Sequence, residues 1–110
     1  MDFLNRRGCR ILERNFRCRS GEIDIIALDK DTVCFVEVKT RRSLSHGSGA
    51  EAVSFLKQRK IVQSALFYLQ RKGWEEKKSR FDVISILLDE QDKPQVEFIA
   101  NAFEPDGIGH

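Results

Sequence analysis

Apolar and polar residues trade places along Arg10–Arg17, RILERNFR, which puts Ile11 on one face and Leu12 and Phe16 on the other. That is the pattern of a half-exposed strand, with Asn15 as a candidate bulge. Before it, Asp2–Arg7 followed by Gly8 reads as the closing turns of a helix, with arginines at its negative end. After the Ser20-Gly21 turn a second strand sets Ile23, Ile25 and Ala27 against Glu22, Asp24, Ile26 and Leu28. Asp29-Lys30-Asp31 is a polar turn, and Thr32–Thr40 forms a third strand with Cys34, Val36 and Val38 on one face and Phe35, Glu37 and Lys39 on the other. So short a loop makes these two strands antiparallel neighbours.

Arg41–Gly49, RRSLSHGSG, has no apolar period and reads as a mobile surface loop. From Ala50 to Lys72 the apolar positions Val53, Leu56, Ile61, Ala65, Leu66, Tyr68 and Leu69 recur at helical spacing until Gly73 stops the helix. Trp74 is expected to pack over that helix end rather than stack on a base. Arg80–Leu88, with Phe81, Val83 and Ser85 opposite Asp82, Ile84 and Ile86, is apolar on both faces near its end and so reads as an interior strand. Gln91–Pro94 turns the chain into a short final strand, Gln95–Ala100, and the residues after Phe103 carry no pattern. The pattern gives one domain over residues 1–103, with a front helix that looks cut short, and a flexible tail over 104–110.

Composition narrows the class. With 110 residues and 41% apolar content the chain can build one core and not two. No apolar run is long enough to span a membrane and Met1-Asp2-Phe3-Leu4 does not begin a signal peptide, so no membrane partner is expected and the cytoplasm is the expected compartment. Cys9, Cys18 and Cys34 are an odd number, and Cys34 reads as a small buried hydrophobe in reduced form. Two histidines and no paired cysteines exclude a zinc cluster, which leaves oxygen ligands for any metal.

The net charge of +2 conceals a gradient. Of the 19 basic residues 18 precede Phe81, with only 10 of the 17 acidic ones, so residues 1–80 carry +8 and residues 81–110 carry −6. Two readings follow: a basic body that meets a polyanion such as nucleic acid, or a solvated face.

The chemistry concentrates in Gly21–Arg42, GEIDIIALDKDTVCFVEVKTRR, where Asp24, Glu37 and Lys39 occupy positions that their neighbours mark as buried. Burying an unpaired charge costs several kcal/mol, so something must hold these groups. Glu37 and Lys39 share a strand face about 7 Å apart with the Val38 carbonyl between them. Asp24 stands on the preceding strand, with twelve residues between it and Glu37. A register that sets Asp24 beside Glu37 offers two carboxylates and the Val38 carbonyl to a hard divalent cation, Mg2+ or Mn2+, with waters and a substrate phosphate completing the shell. Such a cation would polarise a phosphodiester and activate water, while Lys39 would either orient that water or stabilise charge on phosphorus. The competing reading is a cross-strand salt bridge on a solvated sheet face. Ile26, Leu28 and Phe35 on the same face favour a cleft. Glu22 is either a further ligand or a strand-edge acid near Arg19.

GEIDIIAL, FVEVKTRR, KQRK on a helix and RFDVISI on the next strand resemble the YraN family of bacterial proteins, of the restriction-endonuclease-like PD-(D/E)xK superfamily. The likeness runs from Arg7 to about Phe103. Asp24 followed by Glu37-Val38-Lys39 is similar to that superfamily's acid, spacer and D/E-x-K signature, and its spacing to that of archaeal Holliday-junction resolvases. The resemblance implies an α/β fold with a mixed sheet of about five strands flanked by helices, Mg2+-dependent phosphodiester cleavage and a basic groove for DNA. It implies Asp24, Glu37 and Val38 at the metal, Lys39 as catalytic, Lys57 or Gln58 assisting at phosphate, and Arg41, Arg42, Lys57, Gln58, Arg59 and Lys60 against the nucleic acid. Chains of this family begin with a longer first helix carrying a Gly-Glu pair, whereas this sequence starts inside that helix. Either the start is short or this member lacks that acid, in which case Glu22 would have to substitute or activity would be weak; loss of that helix would also uncover part of the sheet and favour a homodimer.

Three functions are therefore in play. The first is a metal-dependent endonuclease acting on DNA, branched DNA included, in repair or recombination. The second is a DNA-binding module that keeps the fold without cleaving. The third is a protein-interaction domain whose acidic end docks a basic partner.

Overall fold

The third strand is the spine of the molecule: five successive residues, Val33 to Glu37, are buried, so it is covered on both faces. A computed structural model describes residues 2–42 and 54–103. The serine- and glycine-rich segment 43–49, the expected front of the long helix at 50–53 and the tail 104–110 lie outside the described residues. The elements in order are α1 (Asp2–Arg6), β1 (Arg10–Cys18), β2 (Gly21–Asp29), β3 (Thr32–Arg42), α2 (Phe55–Lys72), β4 (Lys78–Leu88) and β5 (Pro94–Phe103). The strands form one sheet in sequence order, β1-β2-β3-β4-β5. Pairing is antiparallel except between β3 and β4, which run parallel because α2 carries the chain back across the sheet. This is the mixed α/β architecture expected for a restriction-endonuclease-like chain.

Each face of the sheet has its own core. Against α2 lie Phe16, Ile23, Ile26, Val33, Phe35, Phe81 and Val83, with Ile61, Val62, Ala65, Tyr68 and Leu69 of the helix. Against α1 lie Ile25, Ala27, Cys34, Val36 and Ile84, with Leu4 and Cys9. The alternation read for β4 is observed, since Phe81 and Val83 face α2 while Ile84 and Ile86 face the α1 side. In β2 it breaks: Ile23 and Ile26 both join the α2 core although three positions separate them, so the backbone is irregular at Asp24–Ile25. Opposite this point Asn15 adopts a left-handed φ of 52°, while the register shift of β1 falls between Ile11 and Glu13.

Helix α2 is set by its ends. The Ser54 hydroxyl accepts from the Lys57 amide at 3.2 Å, capping the first turn. Gly73, at φ 71°, closes the last turn, its amide donating to the Gln70 carbonyl and that of Trp74 to the Leu69 carbonyl. Trp74 turns back edge-on against Tyr68 at 6.1 Å, the helix-end packing expected of it. Leu56 and Leu66, counted as core by periodicity, point outward, and Val62 takes a core position instead. Among the described residues no helix is long and apolar enough to cross a membrane.

Candidate metal and phosphate site

The site forms where two strands part. β2 and β3 pair from Asp29↔Thr32 as far as Ile25↔Val36 and no further, whereas β3 continues beside β4 to Arg42↔Leu88. Asp24, Glu37 and Val38 therefore stand just beyond the last rung, in the fork. There the Val38 amide, released from the β2 ladder, donates to Asp24 Oδ2 at 2.8 Å. This bond fixes the Asp24 carboxylate against the backbone between Glu37 and Lys39.

Glu37 is 4% exposed. Its Oε1 accepts an ion pair from Lys57 Nζ at 3.0 Å, which reaches down from the first turns of α2. Its Oε2 is buried, and no hydrogen-bond donor among the described residues reaches it. Burial, followed by the adjacent Asp24 carboxylate, pushes the Glu37 carboxyl up to about 7, against the opposing pull of Lys57. Two carboxylates this close repel each other when both are ionised, so Glu37 keeps its proton well above the ordinary carboxylate range. Lys39 lies on the same face, in contact with Lys57. That contact, then burial and the repulsion between the two ammonium groups, lowers its proton affinity. The four residues form one charged cluster of two acids and two lysines at the edge of an apolar core.

Glu22 does not join them. It pairs with Arg17 of β1 at 3.4 Å on an exposed surface, the strand-edge alternative with Arg17 in place of Arg19. Among the described residues no group of three or more acidic, cysteine or histidine side chains converges on one point. A cation would therefore rest on Asp24, Glu37 and a backbone carbonyl, as Val38 was expected to provide, with water and phosphate making up the rest. The unpartnered Glu37 oxygen beside a second carboxylate is a fit for a hard divalent ion, because the cation replaces the proton that otherwise quiets their repulsion.

The other candidates for nucleic-acid contact scatter. Arg41 is half-buried on the Lys39 face of β3, and Gln58 is half-buried in the first turns of α2. Arg59 and Lys60 are exposed on α2, with the Lys60 stem over the start of β2 near Gly21. Arg42 is tied to Asp92 of the turn before β5, so its charge is balanced at the far end of the sheet.

One polar centre escaped the sequence reading. Asp82, 1% exposed on the α1 face, accepts from Arg80 Nε at 3.1 and 3.0 Å and from the Asn101 amide at 3.0 Å. Arg80 also reaches Asp29 at 3.0 Å. An acid in an apolar strand with an arginine two positions before it was the available signal. Cys34 nearby has its thiol pushed up to about 12, burial being the main cause, which makes it the inert buried hydrophobe expected.

A family profile described as "Uncharacterised protein family UPF0102" matches residues 1–86. The chain belongs to the UPF0102 family. A UPF0102 protein of Geobacter sulfurreducens is 51% identical over 102 residues, covering 93% of this chain and 80% of the relative. Those of Rhodococcus jostii and Caldanaerobacter subterraneus are 46% and 45% identical, covering 92% of this chain in each case and 86% and 84% of the relatives. UPF0102 is the YraN group that GEIDIIAL and FVEVKTRR resemble, and the profile match spans Asp24, Glu37, Lys39 and Lys57 together.

Proposed function

We propose that this UPF0102 protein is a Mg2+- or Mn2+-dependent endonuclease acting on DNA in the cytoplasm, with branched DNA of the kind met in repair and recombination as its substrate class. The observation that carries the reading is Glu37: a buried carboxyl held against a second carboxylate, Asp24, with two lysines facing the pair.

Asp24 and Glu37, with the Val38 carbonyl, would hold the cation. When bound it would neutralise the paired acids, polarise the scissile phosphodiester and make a bound water nucleophilic. The side chains divide the remaining work. Asp24 is pinned by the Val38 amide and keeps its position. Glu37 gives up its proton on loading. Lys39, already less basic than a free lysine, faces the phosphate and either orients the attacking water or steadies charge on phosphorus. Lys57 holds Glu37 and adds positive charge at the mouth of the site. Arg41, Arg59 and Lys60 extend that charge for the flanking phosphates.

The test is cleavage of a branched and a single-stranded DNA by the purified protein with Mg2+ or Mn2+. Glu37→Ala should abolish the nicking; nicking that survives it unchanged would overturn the assignment. A second reading, a DNA-binding module that does not cleave, is favoured by the 3.0 Å Lys57–Glu37 pair, which gives Glu37 a counter-charge from the protein itself. It predicts salt-sensitive DNA binding with no cleavage under either metal.

A further inference from the structure

Beyond Lys39 the charged face of the sheet continues across β4 and β5. Rows across β3, β4 and β5 follow from the register: Lys39, Ser85 and Glu97 stand side by side, and Arg41, Leu87 and Gln95 form the next row. Arg41, Ser85, Leu87, Gln95, Val96 and Glu97 line a cavity of about 260 Å³ there. Its floor is β4. Ser85, 2% exposed, contributes almost no bulk, and Leu87 supplies an apolar surface. One wall is the arginine of β3, and the other is a carboxamide and a carboxylate of β5.

We propose that this cavity receives one unpaired nucleobase of the DNA, next to the phosphate held at Glu37 and Lys39; the proposal rests on the endonuclease reading and names its substrate feature. Size is the first reason: small-molecule sites run from roughly 300 Å³ upward, so this one admits a single ring system and not a duplex end. Charge is the second. A groove for phosphate alone would be basic throughout, whereas Glu97 would repel a phosphate and accept hydrogen bonds from the amino groups of a base. The apolar floor with hydrogen-bonding walls is how an extruded base is commonly held. Distance is the third. Lys39 and Arg41 are two strand residues apart, about 7 Å, which is two stacked rises of ~3.4 Å or one unstacked nucleotide. A paired base cannot leave its partner to reach the cavity without the cost of unpairing, so DNA that already carries unpaired nucleotides at a junction or flap is preferred.

The experiment is fluorescence anisotropy of labelled DNA with the Glu37→Gln protein, which removes cleavage from the readout. Intact duplex is compared with a duplex of equal length bearing a short unpaired flap. Binding of the flapped DNA should be at least tenfold tighter. Leu87→Trp, which fills the cavity, and the Gln95→Ala/Glu97→Ala pair on the exposed strand should each abolish that preference while leaving duplex affinity unchanged. Equal affinity for the two DNAs, or a preference that survives both variants, overturns the base pocket and leaves the endonuclease reading standing. An absence of salt-sensitive binding to either DNA overturns both.

Discussion

Val38 donates its amide hydrogen to the carboxylate of Asp24 across a gap where the strands carrying them no longer pair, at 2.8 Å. A ladder rung is thus replaced by a side chain, and the acid of one strand is locked to the backbone of the next. The lock also holds Asp24 against Glu37, so the two acids raise the cost of ionising Glu37.

Asp24→Asn keeps an acceptor for the Val38 amide but removes the negative charge beside Glu37. The Glu37 carboxyl is expected to fall below its present value of about 7, though not to the ordinary 4.5, because burial remains the larger cause. Carbon-13 NMR of the Glu37 carboxyl over a pH series measures this directly. An unchanged midpoint would mean that the two acids do not sense each other.

Metal binding should follow the same titration. A cation must displace the proton of Glu37, so Mg2+ affinity is expected to rise about tenfold per pH unit below pH 7 and to level off above it. Calorimetry at several pH values, with buffers of different ionisation enthalpy to count the released proton, checks both features. Stability of the metal-free protein runs the opposite way. The folded-state value is raised, so the contribution of Glu37 is fully present below pH 4.5 and is lost as pH climbs through about 7. Glu37→Gln removes this loss, and its melting temperature at pH 8 should exceed that of the parent by roughly 5 °C or more, with no such gain at pH 4.

Asp82 is held as firmly as Glu37 is not: both oxygens accept from Arg80, and Oδ1 also takes the Asn101 amide where that residue turns left-handed at φ 50°. The pair welds β5 to β4 at their register shift. Asp82→Ala strips a half-buried guanidinium of one partner and orphans a backbone amide, while Asp29 still holds the other side of Arg80. The cost should be about 3 kcal/mol, read from the shift in a urea unfolding midpoint at constant slope.

These two acids show what residue patterns can and cannot reveal. Period-two alternation placed Glu37 and Lys39 on one face, and helical spacing brought α2 back over it, so strand identity, the antiparallel β2–β3 hairpin and the Asp24–Glu37 pairing were all legible. Alternation assumes a regular ladder, and it failed where the ladder stops. Ile23 crossed to the α2 face because the backbone shifts at Asp24, and no local signal in GEIDIIAL marks that shift. Glu22 takes the strand-edge course left open for it, paired with Arg17, its partner in the register, rather than with Arg19. Asp82 was read as a member of an alternating strand, although its burial poses the same question as that of Glu37. Arg80, two residues before it on the same face, supplies the answer.

Lys57 offers the sharpest separation between a catalytic and a structural cluster. Its ammonium sits 3.0 Å from Glu37 Oε1, pulling that carboxyl down, and it touches Lys39, lowering that amine. Lys57→Met keeps the stem that covers the site and removes the charge. Glu37 should then hold its proton about one pH unit or more higher, and Lys39 should regain basicity. In an endonuclease the variant would load metal poorly at pH 7 and recover at higher pH, so both the metal-affinity curve and the cleavage-rate profile shift upward by the same amount. In a structural cluster the pair contributes only to folding. The variant would then lose stability at pH 8 with no displacement of any metal-binding curve, and that result would count against Asp24 and Glu37 as ligands.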